Sequence, residues 1–484
     1  MPTLAQLDRR YVWHPFTQMR DWQRREPIVI VSGQDAVLRD VRGRTYLDAN
    51  SSIWTNLHGH NHPRLNAALR AQLGRIAHSS ALGLANEPAS LLAEQLVAAA
   101  QPFDSPAARS GRAPSTALRA GLRKVFFSDD GSTAMEVALK LAYEFARRTR
   151  GQRRPKFLSL EGGYHGDTIG AVSLGHIDLF HRAYAGLLFG SDLVMAPYCY
   201  RCPFNRARPE RADAREYRRC QWECVDRVEQ RLTARKKRGE PYAAFVFEPK
   251  MQGAAGMIPQ PDGWLRRVAT LARQHQTPLV ADEVMTGFGR TGVGASTTRP
   301  VLFACQHEGV QPDFLVLAKG LTGGYLPMAA TLTTPAVFEA FLGDYAEFKT
   351  FFHGHSYTGN QLGAAAGLAS LKLLRGRETV HAIARLEKCL KAELRSLWDL
   401  PAVGDIRQAG LIAGVELVRD WRTRAPFALR ERAGQRVCDF MARHGVLTRP
   451  IGNVVVLMPP YCTTPAQLEG MVATLRRAVA RVLG

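Results

Sequence analysis

The sequence predicts an α/β fold, with a large domain built on a mostly parallel sheet and a smaller α+β domain at the C-terminus. The first observation is a series of short, continuous apolar runs at residues 124–127, 157–160, 244–247, 279–281 and 314–317. The second is that segments with helical periodicity separate these runs, a pattern typical of parallel strands buried on both faces. The third is the return of helical periodicity beyond about residue 360, which indicates the smaller domain.

The residues before the first apolar run are predicted to form short strands, then helices and then a loop. The segment from Ile28 to Asp48 predicts two or three strands with a turn at residues 42–44. Helical periodicity follows from about residue 64 to Ala100. Residues 101–123 are rich in Pro, Ser, Ala and Arg, which favours a surface loop inside a domain over a linker between domains.

The predicted strand at residues 124–127 leads into a helix that begins at about residue 132. Its apolar side chains Met135, Leu139, Ala142 and Phe145 have the three-to-four spacing of one buried helix face. In the C-terminal part the pattern predicts short strands near 411–417 and 454–458, and then a final helix from residue 464.

Size and composition favour a soluble cytoplasmic protein. At 484 residues and 46% hydrophobic, the chain is long enough for more than one core. No stretch approaches the ~20 apolar residues that cross a bilayer, so no membrane partner is expected. The N-terminus lacks a basic start followed by an apolar core, and therefore it does not resemble a secretory signal.

The net charge of +21 raises nucleic-acid binding as an alternative function. The arginines, however, are scattered along helical segments, with local clusters such as residues 235–238 and no basic tail. This pattern favours a diffuse basic surface, which would also attract anionic phosphates and carboxylates. We therefore expect no nucleic-acid partner.

Four of the eight cysteines form two close pairs. The spacings Cys199-x2-Cys202 and Cys220-x3-Cys224 would suit a tetrahedral zinc site. The alternative is a set of free thiols on a surface excursion of a cytosolic protein. We favour the thiols and expect no metal.

Asp282 closes one apolar run and Lys319 follows another, which makes them the most informative pair of residues in the sequence. A lysine at the end of a buried strand is costly unless its amine is neutralised or used. Lysines that attack carbonyls form Schiff bases, and pyridoxal phosphate (PLP) enzymes pair such a lysine with an acid at the pyridinium nitrogen. The alternative is an ordinary strand end with a lysine that reaches solvent and an unrelated aspartate.

Two segments before helices are candidate phosphate sites. Gly131 and Ser132 lie between a strand and a helix, where exposed N–H groups and the helix dipole favour an anion. Residues 353–360 place hydroxyl groups before another helix. Both patterns are also typical of ordinary turns and N-caps.

Other residues suit a flat, cationic ring and a carboxylate. Three glycines surround Tyr164, whose ring could stack on a ligand, whereas His165 could be a satisfied core histidine. Glu248 also ends an apolar run, and Val284 could pack on one face of a ring. Arg449, in an apolar stretch, could clamp a substrate carboxylate, or it could form a surface ion pair.

Together these motifs resemble the class III aminotransferases, PLP enzymes of fold type I. The strings at residues 279–292 and 317–324 are highly specific to this class, and the similarity runs from about residue 10 to the end, broken at 105–121 and near 293–300. The resemblance implies a Schiff base between Lys319 and PLP, with Asp282 at the pyridinium nitrogen and Tyr164 as a further catalytic residue. It also implies the remaining cofactor-binding residues Gly131, Ser132, Glu248, Val284, His355 and Ser356.

The same resemblance implies the domain organisation and the assembly. We expect an N-terminal segment over residues 1–65 that packs with the small domain, a large PLP-binding domain over 66–345, and the small domain over 346–484. A homodimer with shared active sites is implied, in which Ser356, beside Gly354 and His355, reaches the phosphate of the other subunit.

Within this class the chain most resembles the 7,8-diaminononanoate synthases of biotin synthesis, which act on 8-amino-7-oxononanoate. The matching strings are residues 13–19, 51–54, 58–63, 163–168, 448–450 and 457–461. The resemblance implies that Trp54 and Tyr164 line the substrate site, that Arg449 binds the substrate carboxylate, and that Asp167 supports the same site. Phe16, Gly354 and Lys319 complete the predicted substrate contacts.

The amino donor is left open by two departures from the family pattern. Members that use S-adenosylmethionine carry tyrosines where this chain has Phe16 and Val456. A branch that takes lysine as donor lacks those hydroxyls and resembles this chain at residues 349–363. The alternatives within the class are ω-amino acid aminotransferases of the ornithine or β-alanine:pyruvate type, or a decarboxylase or aminomutase on the same scaffold.

Overall fold

A computed structural model of the protein describes residues 1–101, 121–294 and 300–484. Its centre is a seven-stranded sheet with the spatial order Lys124–Ser128, Ala329–Thr333, Phe314–Leu317, Leu279–Asp282, Ala244–Phe247, Phe157–Leu160 and Asp192–Val194. The strand Ala329–Thr333 runs antiparallel to both of its neighbours, and the other neighbouring pairs are parallel. The predicted α/β class with a mostly parallel sheet is confirmed.

Both faces of this sheet are buried, as the continuous apolar runs predicted. Alternate residues of one strand point to opposite faces, and Phe245 and Val246 accordingly belong to two separate apolar clusters. Leu279 and Val280 divide between the same two clusters. The strands therefore hold the sheet between two cores, and only their ends remain available for a site.

The helices of this part of the chain pack against the sheet and against other helices, among them Gln361–Leu374 of the C-terminal part. The longest, Gly131–Arg150, begins with Asp130, whose side chain accepts a hydrogen bond from the backbone N–H of Thr133, and it ends at Gly151 with a φ of 65°. These are the expected N-cap and C-cap residue types. The helices between residues 60 and 280 include Pro63–Leu73, Glu87–Ala99, Gly131–Arg150, Ile169–Leu174, Glu223–Lys237 and Trp264–Gln274.

The C-terminal part forms a second sheet covered by helices. Its strands are Val403–Ala409, Ile412–Asp420, Val454–Leu457, Pro450–Ile451 and Ala425–Pro426. Its main helices are Gln361–Leu374, Arg377–Leu394, Ala433–Arg443 and Pro465–Leu483. The final helix begins where the sequence predicted it, after the N-cap Thr464.

The N-terminal strands join the C-terminal part of the chain. Ile30–Gln34, Val37–Asp40 and Thr45–Asp48 form a sheet whose fourth strand is Val446–Leu447, paired in parallel with Thr45–Asp48. This pairing is consistent with the expectation that residues 1–65 pack with the small domain. The domain boundaries themselves stay predictions.

Several elements differ from the sequence-based expectation. The helical region 64–100 consists of two helices, because residues 74–86, which include Gly74 and Gly83, are not helical. Ala329–Thr333 was not predicted as a strand, since alanine and threonine make a weak apolar signal that pairing with two neighbours overrides. Most of the predicted surface loop 101–123 and part of the extra residues near 293–300 lie outside the described residues.

No helix within the described ranges is long and apolar enough to span a bilayer. The cytoplasmic location stays a prediction.

His58 gives the fold a testable pH dependence. It is buried, and its Nε2 lies 3.0 Å from Ser370 Oγ. Burial, together with the charges of His62 and Arg290, lowers the pKa of His58 from 6.5 to about 3. The unfolded chain therefore binds a proton that the folded chain excludes, so this stabilisation is present above pH 6.5 and is lost as the pH falls towards 3.

We expect the unfolding free energy to fall by up to ~1.4 kcal/mol for each pH unit between about pH 6 and pH 4 because of His58 alone. Urea unfolding at several pH values measures this slope, and His58→Gln should make it shallower. The exposed helical His381 offers the control His381→Gln, which should leave the slope unchanged. An identical slope in His58→Gln and the unmodified protein would contradict the assignment.

Candidate active site

A cavity of about 440 Å³ lies at the carboxyl ends of the central parallel strands. Glu248 follows Ala244–Phe247, Asp282 ends Leu279–Asp282, and Lys319 comes two residues after Phe314–Leu317. These strands are adjacent and parallel, so their carboxyl ends meet at one edge of the sheet. The cavity is lined by Trp54, Thr55, Asp129, Asp130, Gly131, Ser132, Tyr164, His165, Gly166, Glu248, Ala254, Asp282, Val284, Met285, Ala318, Lys319, Gly324, Tyr325, Leu326, Pro327 and Met328.

Lys319 presents its amine to this cavity. Its backbone has a φ of 43°, and Nζ lies 4.9 Å from the centre of the Trp54 ring. Burial lowers the pKa of Lys319, and the charges of Asp282 and Glu248 only partly offset that effect. A larger fraction of the amine is therefore neutral, which is the nucleophilic and basic form.

Asp282 is held by His165 in a buried pair. Nδ1 of His165 lies 2.7 Å from Oδ2 of Asp282, and Oδ1 of Asp282 accepts a hydrogen bond of 3.0 Å from the Val284 N–H. Burial opposes a charge on His165, but the hydrogen bond and the negative charge of Asp282 raise its pKa above the ordinary value. His165 is thus both a bonded core histidine and a cavity residue, and it fixes the orientation of the Asp282 carboxylate.

Glu248 ties two loops to the cavity. Its carboxylate accepts hydrogen bonds from the Tyr164 N–H at 3.1 Å and from the Gly253 N–H at 2.7 Å. Burial is the main reason why the pKa of Glu248 rises to about 7. Near neutral pH this group is therefore partly protonated, and its main visible function is to position both loops.

Tyr164 connects the cavity with Asp167 and Ser132. Its hydroxyl donates to Oδ2 of Asp167 at 2.7 Å, and the Asp167 N–H donates to Oγ of Ser132 at 3.0 Å. Burial and the neighbouring carboxylate raise the pKa of Tyr164 well above its ordinary value, so the phenol stays protonated. Asp167 itself is exposed and lies one contact away from the cavity lining.

The amino end of the helix Gly131–Arg150 forms a cradle for an anion. A Cβ at Gly131 would lie 2.9 Å from Cγ1 of Val284, and one at Gly166, whose φ is 115°, would lie 1.9 Å from Oγ of Ser132. Only glycine permits this close approach at both positions. Gly131 and Ser132, the first two residues of the helix, line the cavity, where the helix dipole favours an anion.

Six predicted site residues do not line the cavity: Phe16, Asp167, Gly354, His355, Ser356 and Arg449. The ring of Phe16 meets Phe180 edge-on at 5.2 Å, and Phe180 in turn meets Tyr164 at 6.4 Å. Nδ1 of His355 lies 3.4 Å from Oδ2 of the cavity residue Asp129.

Gly354, Ser356 and Arg449 are exposed on this chain. Nothing lies within 4 Å of a Cβ built on Gly354, and the carbonyl of Ser356 bonds to His78 Nε2 at 2.9 Å. Arg449 stands between the strands Val446–Leu447 and Pro450–Ile451. The predicted phosphate and carboxylate contacts of Ser356 and Arg449 stay predictions.

The structure also adds residues that the sequence-based analysis missed. Met285, Ala254 and the loop Gly324 to Met328 line the cavity, and Phe180 bridges Phe16 and Tyr164. The loop follows Lys319 closely in sequence, which was the one available signal. Phe180 gave no signal, because a single phenylalanine in a segment of mixed polarity has no distinguishing pattern.

The four paired cysteines show no arrangement for zinc. Over the part of the chain that the structure describes, no group of three or more His, Cys, Asp or Glu side chains is placed to hold a metal ion. Burial raises the pKa of Cys199 and Cys224 to about 12.

Comparison with protein families supports the motifs read from the sequence. Residues 19–479 match the family model described as aminotransferase class III. A Geobacter sulfurreducens protein named adenosylmethionine-8-amino-7-oxononanoate aminotransferase is 45% identical over 482 residues, which cover 100% of this chain and 98% of that protein. A Methanocaldococcus jannaschii protein of the same name is 38% identical and covered to 97%.

Solved structures show the same architecture. The crystal structure of the M. jannaschii protein superposes with a TM-score of 0.85 at 37% identity and covers 99% of both chains. The omega transaminase from Pseudomonas jessenii, in complex with PMP, superposes equally well but at 28% identity, covering 99% of this chain and 98% of that one.

Proposed function

Because this chain belongs to the class III aminotransferases, we propose that it transfers an amino group to 8-amino-7-oxononanoate and forms 7,8-diaminononanoate. The observation that carries the choice of acceptor is the identity of 45% over the whole chain with a relative named for that substrate. The omega transaminase with an equal TM-score is only 28% identical. The fold alone does not separate the two activities, but the higher sequence identity favours 8-amino-7-oxononanoate as the acceptor.

Enzymes of this class use PLP, and the cavity fits that cofactor. The cradle at Gly131 and Ser132 would hold its phosphate, Asp282 would face its ring nitrogen, and Lys319 would form the Schiff base. Val284 and Tyr164 line the space between these groups, where the ring would lie. When bound, PLP withdraws electrons from the carbon that bears the amino group, and this makes the proton on that carbon acidic.

The residues of this chain would supply the proton transfers. The neutral amine of Lys319, released when the donor amine takes its place on the cofactor, would carry a proton from the donor carbon to the cofactor. In the second half-reaction it would carry a proton from the cofactor to the acceptor carbon. The Asp282 carboxylate, held by His165 at 2.7 Å, would stabilise positive charge at the ring nitrogen. The two half-reactions use the same groups in opposite order, so one lysine serves both the donor and the acceptor.

The substrate side of the proposal rests on Trp54, Tyr164, Asp167 and Arg449. Trp54 packs with a cluster of methionines and with Val456, which makes an apolar wall suited to the acyl chain of the acceptor. Arg449 would bind the carboxylate at the far end of that chain.

We also propose a homodimer with shared active sites. Support comes from Gly354, Ser356 and Arg449, which are exposed on this chain although the family pattern assigns them to a site. Large apolar side chains near Ser356 are exposed as well, among them Phe352 and Tyr357. A second copy of the chain would cover these side chains. Ser356 and His355 of one subunit would then contact the phosphate cradle of the other subunit.

The amino donor of the proposed reaction is S-adenosylmethionine or lysine. The names of the relatives include adenosylmethionine. Phe16 and Val456, however, offer no hydroxyl group to the substrate, and a pocket that relies on hydrogen bonding discriminates strongly when a partner is lost. The buried Val456 and the Phe16–Phe180 contact make this wall apolar.

One assay tests the acceptor and assigns the donor. Purified protein with PLP is incubated with 8-amino-7-oxononanoate and with S-adenosylmethionine or lysine, and 7,8-diaminononanoate is measured by mass spectrometry. Product with either donor is the expected result, and the ratio of kcat/KM values assigns the donor. No product with either donor, together with turnover of β-alanine or ornithine with a keto acid, would assign the chain to the ω-amino acid aminotransferases instead.

A further inference from the structure

A left-handed helical turn precedes the cavity. Ser51, Ser52, Ile53 and Trp54 have φ values of 45°, 48°, 63° and 67°. The N–H of Trp54 donates to the Asn50 carbonyl at 2.9 Å, which closes the turn. Residues other than glycine avoid this conformation and normally adopt it singly, and a β-branched residue such as Ile53 avoids it most. Four in succession require stabilisation from outside the turn.

Asp48 provides that stabilisation. Its Oδ1 accepts from the Ser52 N–H at 3.0 Å, and its Oδ2 accepts from the Ser52 hydroxyl at 2.8 Å. His60 Nε2 lies 3.0 Å from Oδ2 and holds the carboxylate from the other side. A second attachment comes from the hydroxyl of Ser51, which donates to the Met458 carbonyl at 2.6 Å.

The turn places the Trp54 side chain beside the amine of Lys319. The Trp54 ring lies 4.9 Å from Nζ of Lys319 and packs against the cluster that contains Met285 and Val456. Ile53, by contrast, is 43% exposed, so its side chain contributes little to packing. A right-handed or extended backbone at residues 51–54 would direct the Trp54 side chain elsewhere.

We propose that Asp48 is a positioning residue for the reaction, acting through this turn to hold Trp54 against Lys319 and the substrate. The identity of the substrate rests on the proposed function, whereas the placement of Trp54 beside the lysine does not. Asp48 never contacts the cavity itself, and it acts by keeping Ser52 in the left-handed conformation.

Asp48 also ends the strand Thr45–Asp48, so a merely structural role has to be separated from positioning. Asp40 is a matched control, because it is also buried, ends the neighbouring strand and accepts from the Tyr46 hydroxyl at 2.9 Å. The other hydrogen bonds of its carboxylate come from Arg42 and Arg44, and none reaches the turn.

The test combines a double-mutant cycle with a rescue. Asp48→Ala should raise the KM for 8-amino-7-oxononanoate about tenfold and change kcat much less, since uniform binding is lost. In a Trp54→Ala background the same substitution should have no further effect. Ile53→Gly should restore most of the KM of Asp48→Ala, because glycine adopts the left-handed conformation without strain. Asp40→Asn should leave the KM unchanged.

A second readout needs no substrate. The pH titration of the visible absorbance of bound PLP reports on the surroundings of Lys319, and Asp48→Ala and Trp54→Ala should shift it equally, with recovery in Asp48→Ala/Ile53→Gly. If Asp48→Ala does not fold, Asp48→Asn and Ser52→Ala serve in the same cycle. Additive effects of Asp48→Ala and Trp54→Ala, or no rescue by Ile53→Gly, would overturn the proposal. If the protein forms no product from 8-amino-7-oxononanoate, the absorbance titration still tests the positioning role of Asp48.

Discussion

Replacing Lys319 with alanine is expected to abolish turnover, with kcat falling by roughly four orders of magnitude or more. The amine is the only lysine nitrogen among the cavity-lining residues of the described chain, and burial lowers its pKa so that it can attack a carbonyl and move a proton. Without this amine, the cofactor has no lysine to which it can bind covalently, and the substrate proton has no base to accept it. Steady-state rates with saturating PLP measure the effect.

Borohydride reduction followed by mass spectrometry gives an independent readout of the same substitution. The unmodified protein should gain one covalently bound PLP, and Lys319→Ala should gain none. Lys156 is a suitable control, since it is an exposed lysine directly before the strand Phe157–Leu160 and its amine lies 3.8 Å from Asp192. Full steady-state activity of Lys319→Ala in the absence of added amines would refute the assignment.

Asp282→Asn is expected to lower kcat by roughly 100- to 1,000-fold while the protein remains folded. The substitution removes the negative charge that faces the proposed ring nitrogen and weakens the bond of 2.7 Å with His165. Asparagine nearly preserves the size of the side chain, so the loss is electrostatic. Steady-state kinetics and thermal unfolding of the variant separate the two effects.

Asp313 offers a matched control at the opposite end of the same sheet. It is half-buried, and its carboxylate accepts a hydrogen bond from the Leu279 N–H at 2.8 Å. Asp313→Asn should reduce stability with kcat nearly unchanged, because the amino ends of the strands lie far from the cavity. If Asp282→Asn lost only stability and kept its kcat, Asp282 would have no role in the chemistry.

The central site was predictable because of a simple property of parallel sheets. Buried strands read as continuous apolar runs, and polar side chains directly after such runs must lie at one edge. Glu248, Asp282 and Lys319 satisfied this rule, and the structure brings all three to one cavity. The cradle at Gly131 and Ser132 followed from the same reasoning, since a strand there leads directly into a helix.

Other parts of the site depend on contacts between distant segments. Trp54 reaches the cavity through a left-handed turn that no propensity favours, and Asp48, His60 and the Met458 carbonyl hold it there. Phe180 meets Phe16 across 164 residues of chain, which is a contact without any local pattern. The strand Ala329–Thr333 likewise forms because two neighbouring strands pair with it.

The sequence by itself determined the α/β class and the positions of Lys319 and Asp282 at strand ends, because these depend on local periodicity and on residue types. Its motifs, taken together, carried the resemblance to the family. Only the tertiary structure decided how His165 orients Asp282, how Glu248 ties two loops together, and how a strained turn places Trp54. Those features arise from hydrogen bonds and packing between segments far apart in the chain. Their energies offset unfavourable local conformations, and no local pattern in the sequence records them.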